Sequence, residues 1–354
     1  MSIKNLNIEK NKISTKSPMK LAKEKSRMFV FSTILWISSA TLIGVSINNM
    51  NRYTKDTYNI YSGRKLTISK KDQENIIKNI EKKYNTKVKE KQKSSVLFFD
   101  SIERNKNLNK EEKREFYGLV DLIEDNPYID KETAYTNLLN LDIKHKDNLG
   151  EEGLSGYWDE NDIYIENSNP YWEHHVFFHE AIHAIHNNSA VRPNFIYEGM
   201  TELLASEYMS KPNMTYDEYI NLVKMLCEIV GSDTVLKAYS TNDMTCIYEE
   251  MAKIGGEAID SQELIFDIDY LTEDITQKEL SSKKKANLKA KLYELRKYYL
   301  KKHNKDYVEV DEDKDLFDNY YMSLIKSIDG NYSYVYPRED KIYFNSEYKN
   351  RKSK

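Results

Sequence analysis

Cysteine is nearly absent from this chain and histidine is scarce: two and seven copies in 354 residues. Cys227 and Cys246 allow at most one disulfide, and otherwise they are two small buried hydrophobes. Neither lies near the long apolar run described below, so nothing suggests a lipid-anchored cysteine. Strong charge of either sign is also missing. Fifty-three basic against fifty-seven acidic residues leave a formal net charge of −4, which argues neither for nor against nucleic acid. Aromatic and basic residues do not interleave as in a nucleic-acid module. Gly255-Gly256 lacks a surrounding G-x-x-x-x-G-K, so it reads as a turn rather than a phosphate loop.

Five of the seven histidines fall within thirteen residues: His174, His175, His179, His183 and His186. Within them, His179-Glu180-Ala181-Ile182-His183 spells H-E-x-x-H. Residues four apart on a helix stack on one face, so two imidazoles can grip one ion with a glutamate beside them. Neutral imidazole nitrogen suits Zn²⁺. The stretch has the marks of a core helix. Ser168-Asn169 offers an N-cap, Pro170 suits the first helical position and Asn187-Asn188 offers a stop. Phe178, Ile182 and Ile185, with Ala181, make an apolar stripe. The histidines project from another side, where neutral rings need polar partners. His175 and His186 are expected to be hydrogen-bonded core residues or partners of the ligands rather than cleft lining.

A catalytic zinc has three protein ligands and one open position. The next helical pattern, 195–208, places Glu198 and Glu202 four apart on one face, with Ile196, Met200, Leu203 and Leu204 at core spacing. A helix, a short loop, and a helix with two stacked carboxylates resembles the gluzincin zinc metallopeptidases. The resemblance covers roughly residues 154–210. It implies that Glu198, in Glu198-Gly199-Met200-Thr201-Glu202, completes the zinc site with His179 and His183. Glu202 then takes the free N–H of a liganding histidine. Spacing from His183 leaves Glu202 open as the ligand instead. The metzincin pattern is not met, because His186 and Ser189 stand where its glycine and third histidine belong. The implied activity is peptide hydrolysis, with Glu180 as general base and a polypeptide as substrate. A non-catalytic ectodomain with structural zinc, or a zinc hydrolase of non-peptide amides, are the alternatives.

Residues 1–27 are basic, and 28–47 run twenty residues without a charge, long enough to cross about 30 Å of hydrocarbon. An uncleaved signal-anchor is expected there, with a cleaved signal peptide as the rival. Either way, residues 48 onward lie outside the cytoplasm. Residues 48–93 read as a stalk, with a short helix over 72–83. The globular part is expected to begin at Ser94, with helices over 110–124, 133–141, 216–230 and 277–304. A hairpin is expected over 156–166. Its strand just ahead of the histidine helix resembles the edge strand of zinc peptidases, which implies an edge able to accept an added peptide strand; the alternative is an ordinary hairpin packed on the helix. The lysine-rich face of 277–304 is expected to be solvated, or neutralised by the acidic 311–318 segment. The expected architecture is α+β and mostly helical: a zincin-like domain over 94–260 with a small N-terminal sheet and an active-site helix, one transmembrane helix before it, and a helical C-terminal subdomain over 261–354.

Overall fold

The computed structural model describes residues 69–330 except 106–109, 147–148, 150–154, 161, 167–169, 188–192, 210–216, 277–280, 306–309 and 311–314. The basic segment 1–27, the expected membrane span 28–47 and the first part of the stalk lie outside the described residues. Among the described residues, no helix is long and apolar enough to cross a membrane.

The fold is mostly helical with one small sheet. Helix α1 (Lys70–Tyr84) starts where the Ser69 hydroxyl accepts the Asp72 N–H and stops at left-handed Asn85. It lies within the stretch read as stalk, yet Ile76 is buried against the core. Then come α2 (Lys93–Arg104), α3 (Lys110–Asp125) and α4 (Lys131–Asn140). Phe98, Phe116 and Phe177 pack in series, the first pair edge-on and the second tilted, with centroids 5.9 and 5.3 Å apart, joining α2 and α3 to the histidine helix.

The sheet has three strands, β1 (Asp142–Lys146), β2 (Gly156–Asp159) and β3 (Asp162–Glu166), in the order β1-β3-β2. The expected hairpin is β2–β3, antiparallel with Asp159 opposite Asp162, and β1 joins β3 in parallel. The strand just before the histidine helix, β3, is therefore the central one. Among the described residues, the sheet edges are β1 and β2.

The histidine helix α5 (Pro170–His186) begins at Pro170, and Asn187 after it has a φ of 52°. Left-handed backbone suits asparagine and ends a helix. Helix α6 (Asn194–Tyr208) is buried along nearly its whole length, and α7 (Asp217–Val230) packs against it. Gly199 permits that contact: a Cβ there would sit 2.7 Å from the Tyr219 carbonyl oxygen. Helices α8 (Ser232–Thr241), α9 (Thr245–Ile254), α10 (Ala258–Thr276), α11 (Ser282–Lys302) and α12 (Leu316–Ile328) follow. Leu288, Leu292, Leu295 and Tyr299 form the buried stripe of α11, as its spacing predicts. One continuous apolar core runs from Ile76 to Ile328. Cys227 and Cys246 are free thiols.

Candidate metal centre

His175, His179, His183 and His186 of α5 are all buried, and the first three meet the glutamates of α6. The fourfold spacing of His175, His179 and His183 places those three in a row one turn apart. Glu198 and Glu202 answer from α6 with the same spacing. His179 Nε2 lies 3.1 Å from His183 Nε2 and 3.1 Å from Glu198 Oε2. His183 Nε2 lies 3.6 Å from Glu198 Oε1. Three donor atoms thus converge on one point. Donors about 2.0–2.2 Å from a tetrahedral ion stand roughly 3.3–3.5 Å from one another, so the separations suit a small divalent cation. Two neutral imidazole nitrogens facing each other at this range also need something positive between them, a proton or an ion.

Glu202 meets the other side of the same ring. Its Oε1 lies 3.4 Å from His179 Nδ1 and 3.1 Å from His175 Nε2. His175, His179 and Glu202 are therefore also close enough together to hold a metal ion. The two groups differ in access. The Glu202 side chain is only 1% exposed, whereas that of Glu198 is 21% exposed. The Glu198 group reaches solvent and the Glu202 group is sealed.

Without a cation, the charges arrange themselves around protons. Burial pushes the His179 imidazole down, but Glu198 and Glu202 outweigh it and hold its pKa well above the ordinary value. His183 is raised by the same contest, burial against Glu198. Burial also works to raise Glu198 and Glu202, and the histidines reverse it. Glu198 falls well below the carboxylate range and Glu202 falls to about 2. Glu180 is different. Burial raises its carboxyl above the usual value despite attraction from His179 and His183, and it accepts the backbone N–H of Trp158 on edge strand β2.

The chain matches no protein-family description, no curated protein and no solved structure.

The structure brings together all five residues singled out in the sequence: His179, Glu180, His183, Glu198 and Glu202. His186 turns away from the cluster and bonds through Nδ1 to the Ile182 carbonyl at 2.9 Å, with its ring 4.5 Å from that of Tyr239. Burial lowers its pKa to about 3, so it is a neutral core residue. Two contacts escaped sequence reasoning. The Trp158 N–H is a backbone group and leaves no residue signature. Asp269 of α10 accepts the Phe195 N–H at 2.9 Å, capping the helix that carries Glu198 from 74 residues away.

Proposed function

We propose that the chain is a membrane-anchored, zinc-dependent peptidase whose metal is held by His179, His183 and Glu198. The convergence of His179 Nε2, His183 Nε2 and the Glu198 carboxylate on one point is the observation that carries this reading. Solvent access on the Glu198 side favours this trio over the sealed group around Glu202, because a catalytic site keeps one position open for water. When bound, zinc supplies Lewis acidity: it lowers the pKa of water to about 7 and polarises a carbonyl. Glu180 takes the proton from the attacking water and returns it to the leaving amine. Glu180 lies beside the backbone of edge strand β2 at Trp158, where an extended substrate can add as a further strand. Residues 28–47 anchor the chain, and the basic 1–27 segment leaves the catalytic part outside the cytoplasm.

A zinc with only a structural role has no use for a base, so Glu180 separates the two readings. The full-length chain with Glu180→Gln should bind zinc like wild type. Its turnover of peptide substrates should fall by about 10²–10⁴-fold. Cleavage sites mapped by proteomics, wild type against Glu180→Gln, give the substrate class in the same experiment. Equal cleavage by both proteins removes Glu180 from the mechanism.

A further inference from the structure

We infer that His175 is a positioning residue for the zinc centre, acting through Glu202 on His179. The inference rests on the zinc reading and concerns an outer layer of the same site. His175 stands one turn before His179 on α5, and its Nε2 lies 3.1 Å from Glu202 Oε1. The same oxygen lies 3.4 Å from His179 Nδ1. One carboxylate oxygen thus lies between imidazole nitrogens from consecutive turns of one helix, hydrogen-bonded to the first and 3.4 Å from the second.

The chemistry of a neutral imidazole explains the consequence. It carries one N–H and one lone pair, and the partner of one nitrogen decides the state of the other. With its ring proton on Nδ1, the side that faces Glu202, His179 presents the Nε2 lone pair to the metal. Glu202 can keep that nitrogen protonated only if its own carboxylate is held in place. Its side chain is almost wholly buried, and a buried carboxylate with too few donors is costly. His175 supplies a second donor and fixes the rotamer.

His175, His179 and Glu202 are also close enough together to hold a second cation. His179 argues against that assignment. Its Nε2 already faces His183 and Glu198, and a neutral ring cannot offer lone pairs from both nitrogens. The second group is a hydrogen-bonded shell around the first.

The test compares the full-length chain with His175→Leu and His175→Gln. Zinc affinity is read by chelator competition and coordination by the visible spectrum of the Co²⁺-loaded protein. The Leu variant should bind zinc roughly 10- to 100-fold more weakly, as loss of an outer partner does, with an altered Co²⁺ spectrum. Gln keeps an N–H for Glu202 and should restore most of both. Equal loss in Leu and Gln, or none in Leu, overturns the role of His175. Two metal equivalents in wild type that fall to one in His175→Leu overturn it in favour of a second cation. A wild-type chain without stoichiometric zinc instead overturns the metal reading itself. Should the Leu variant not fold, imidazole ¹⁵N shifts of the zinc-loaded wild type decide. Protonation of His175 on Nε2 and His179 on Nδ1 is expected, and His175 protonated on Nδ1 alone refutes it.

Discussion

Glu198 and Glu202 are the same residue one helical turn apart, and their surroundings give them separate work. Glu198 meets the Nε2 side of His179 and of His183 and is part-exposed, while Glu202 meets the Nδ1 side of His179 and is sealed. Glu202→Ala should weaken zinc binding by roughly 10- to 100-fold. Glu198→Ala should cost more, because it removes a donor rather than the partner of one; chelator competition ranks the two. The same groups set a pH dependence. His179 and His183 hold protons more tightly in the metal-free chain than free histidine does. Zinc must displace those protons, so its affinity should rise with pH until they are gone. The folded-state pKa of His179 lies above its unfolded value. Its contribution to metal-free stability is thus complete below the ordinary histidine pKa and is lost as pH rises through the raised one. Thermal melts with chelator should decline over that window, and melts with zinc should not. A metal-free melting temperature that is flat or rising there refutes the charge arrangement described for this centre.

At the scale of elements, Gly199 decides how closely α6 and α7 approach. A methyl group there would meet the Tyr219 carbonyl oxygen at 2.7 Å and Val223 Cγ2 at 2.8 Å. Backbone cannot rotate away, so α7 must shift. Gly199→Ala should therefore destabilise the fold by about 1–3 kcal/mol, although alanine favours helix more than glycine does. Urea unfolding checks the sign, and a stabilised variant would refute the close approach. The helices of this region were legible because apolar spacing, Pro170 and Asn187 all agree on their extent. The two i, i+4 ladders, histidines on α5 and glutamates on α6, were legible for the same reason. Which glutamate meets which nitrogen was not, since that follows from how the helices cross. Strand β1 was missed. Asp142-Ile-Lys-His-Lys146 has one apolar residue, Ile143, and becomes a strand only by pairing with β3, some twenty residues onward.

Across the whole molecule, the site helices are held from both ends of the described chain. Asn137 of α4 donates to the Ala184 carbonyl on α5, and Asn242 donates to the His186 carbonyl. From the C-terminal side, Asp269 caps α6, and Ser327 of α12 donates to Glu218 on α7 at 2.6 Å. The lysine-rich α11 joins this frame through a charge its sequence does not advertise as buried. Arg296 forks onto Asp318 of α12 at 2.7 and 2.9 Å, and both residues are almost wholly enclosed. Breaking such a pair strands a buried charge, at a cost of about 3–5 kcal/mol, while replacing both partners with apolar groups is often near neutral. Arg296→Met should thus lower the urea midpoint sharply, and Arg296→Met with Asp318→Leu should recover most of it. Because α12 braces α7, and α7 lies on the helix bearing Glu198, the single variant should also release zinc at lower denaturant than wild type. Unfolding of α11 and α12 that leaves zinc in place would show that the metal centre stands without them.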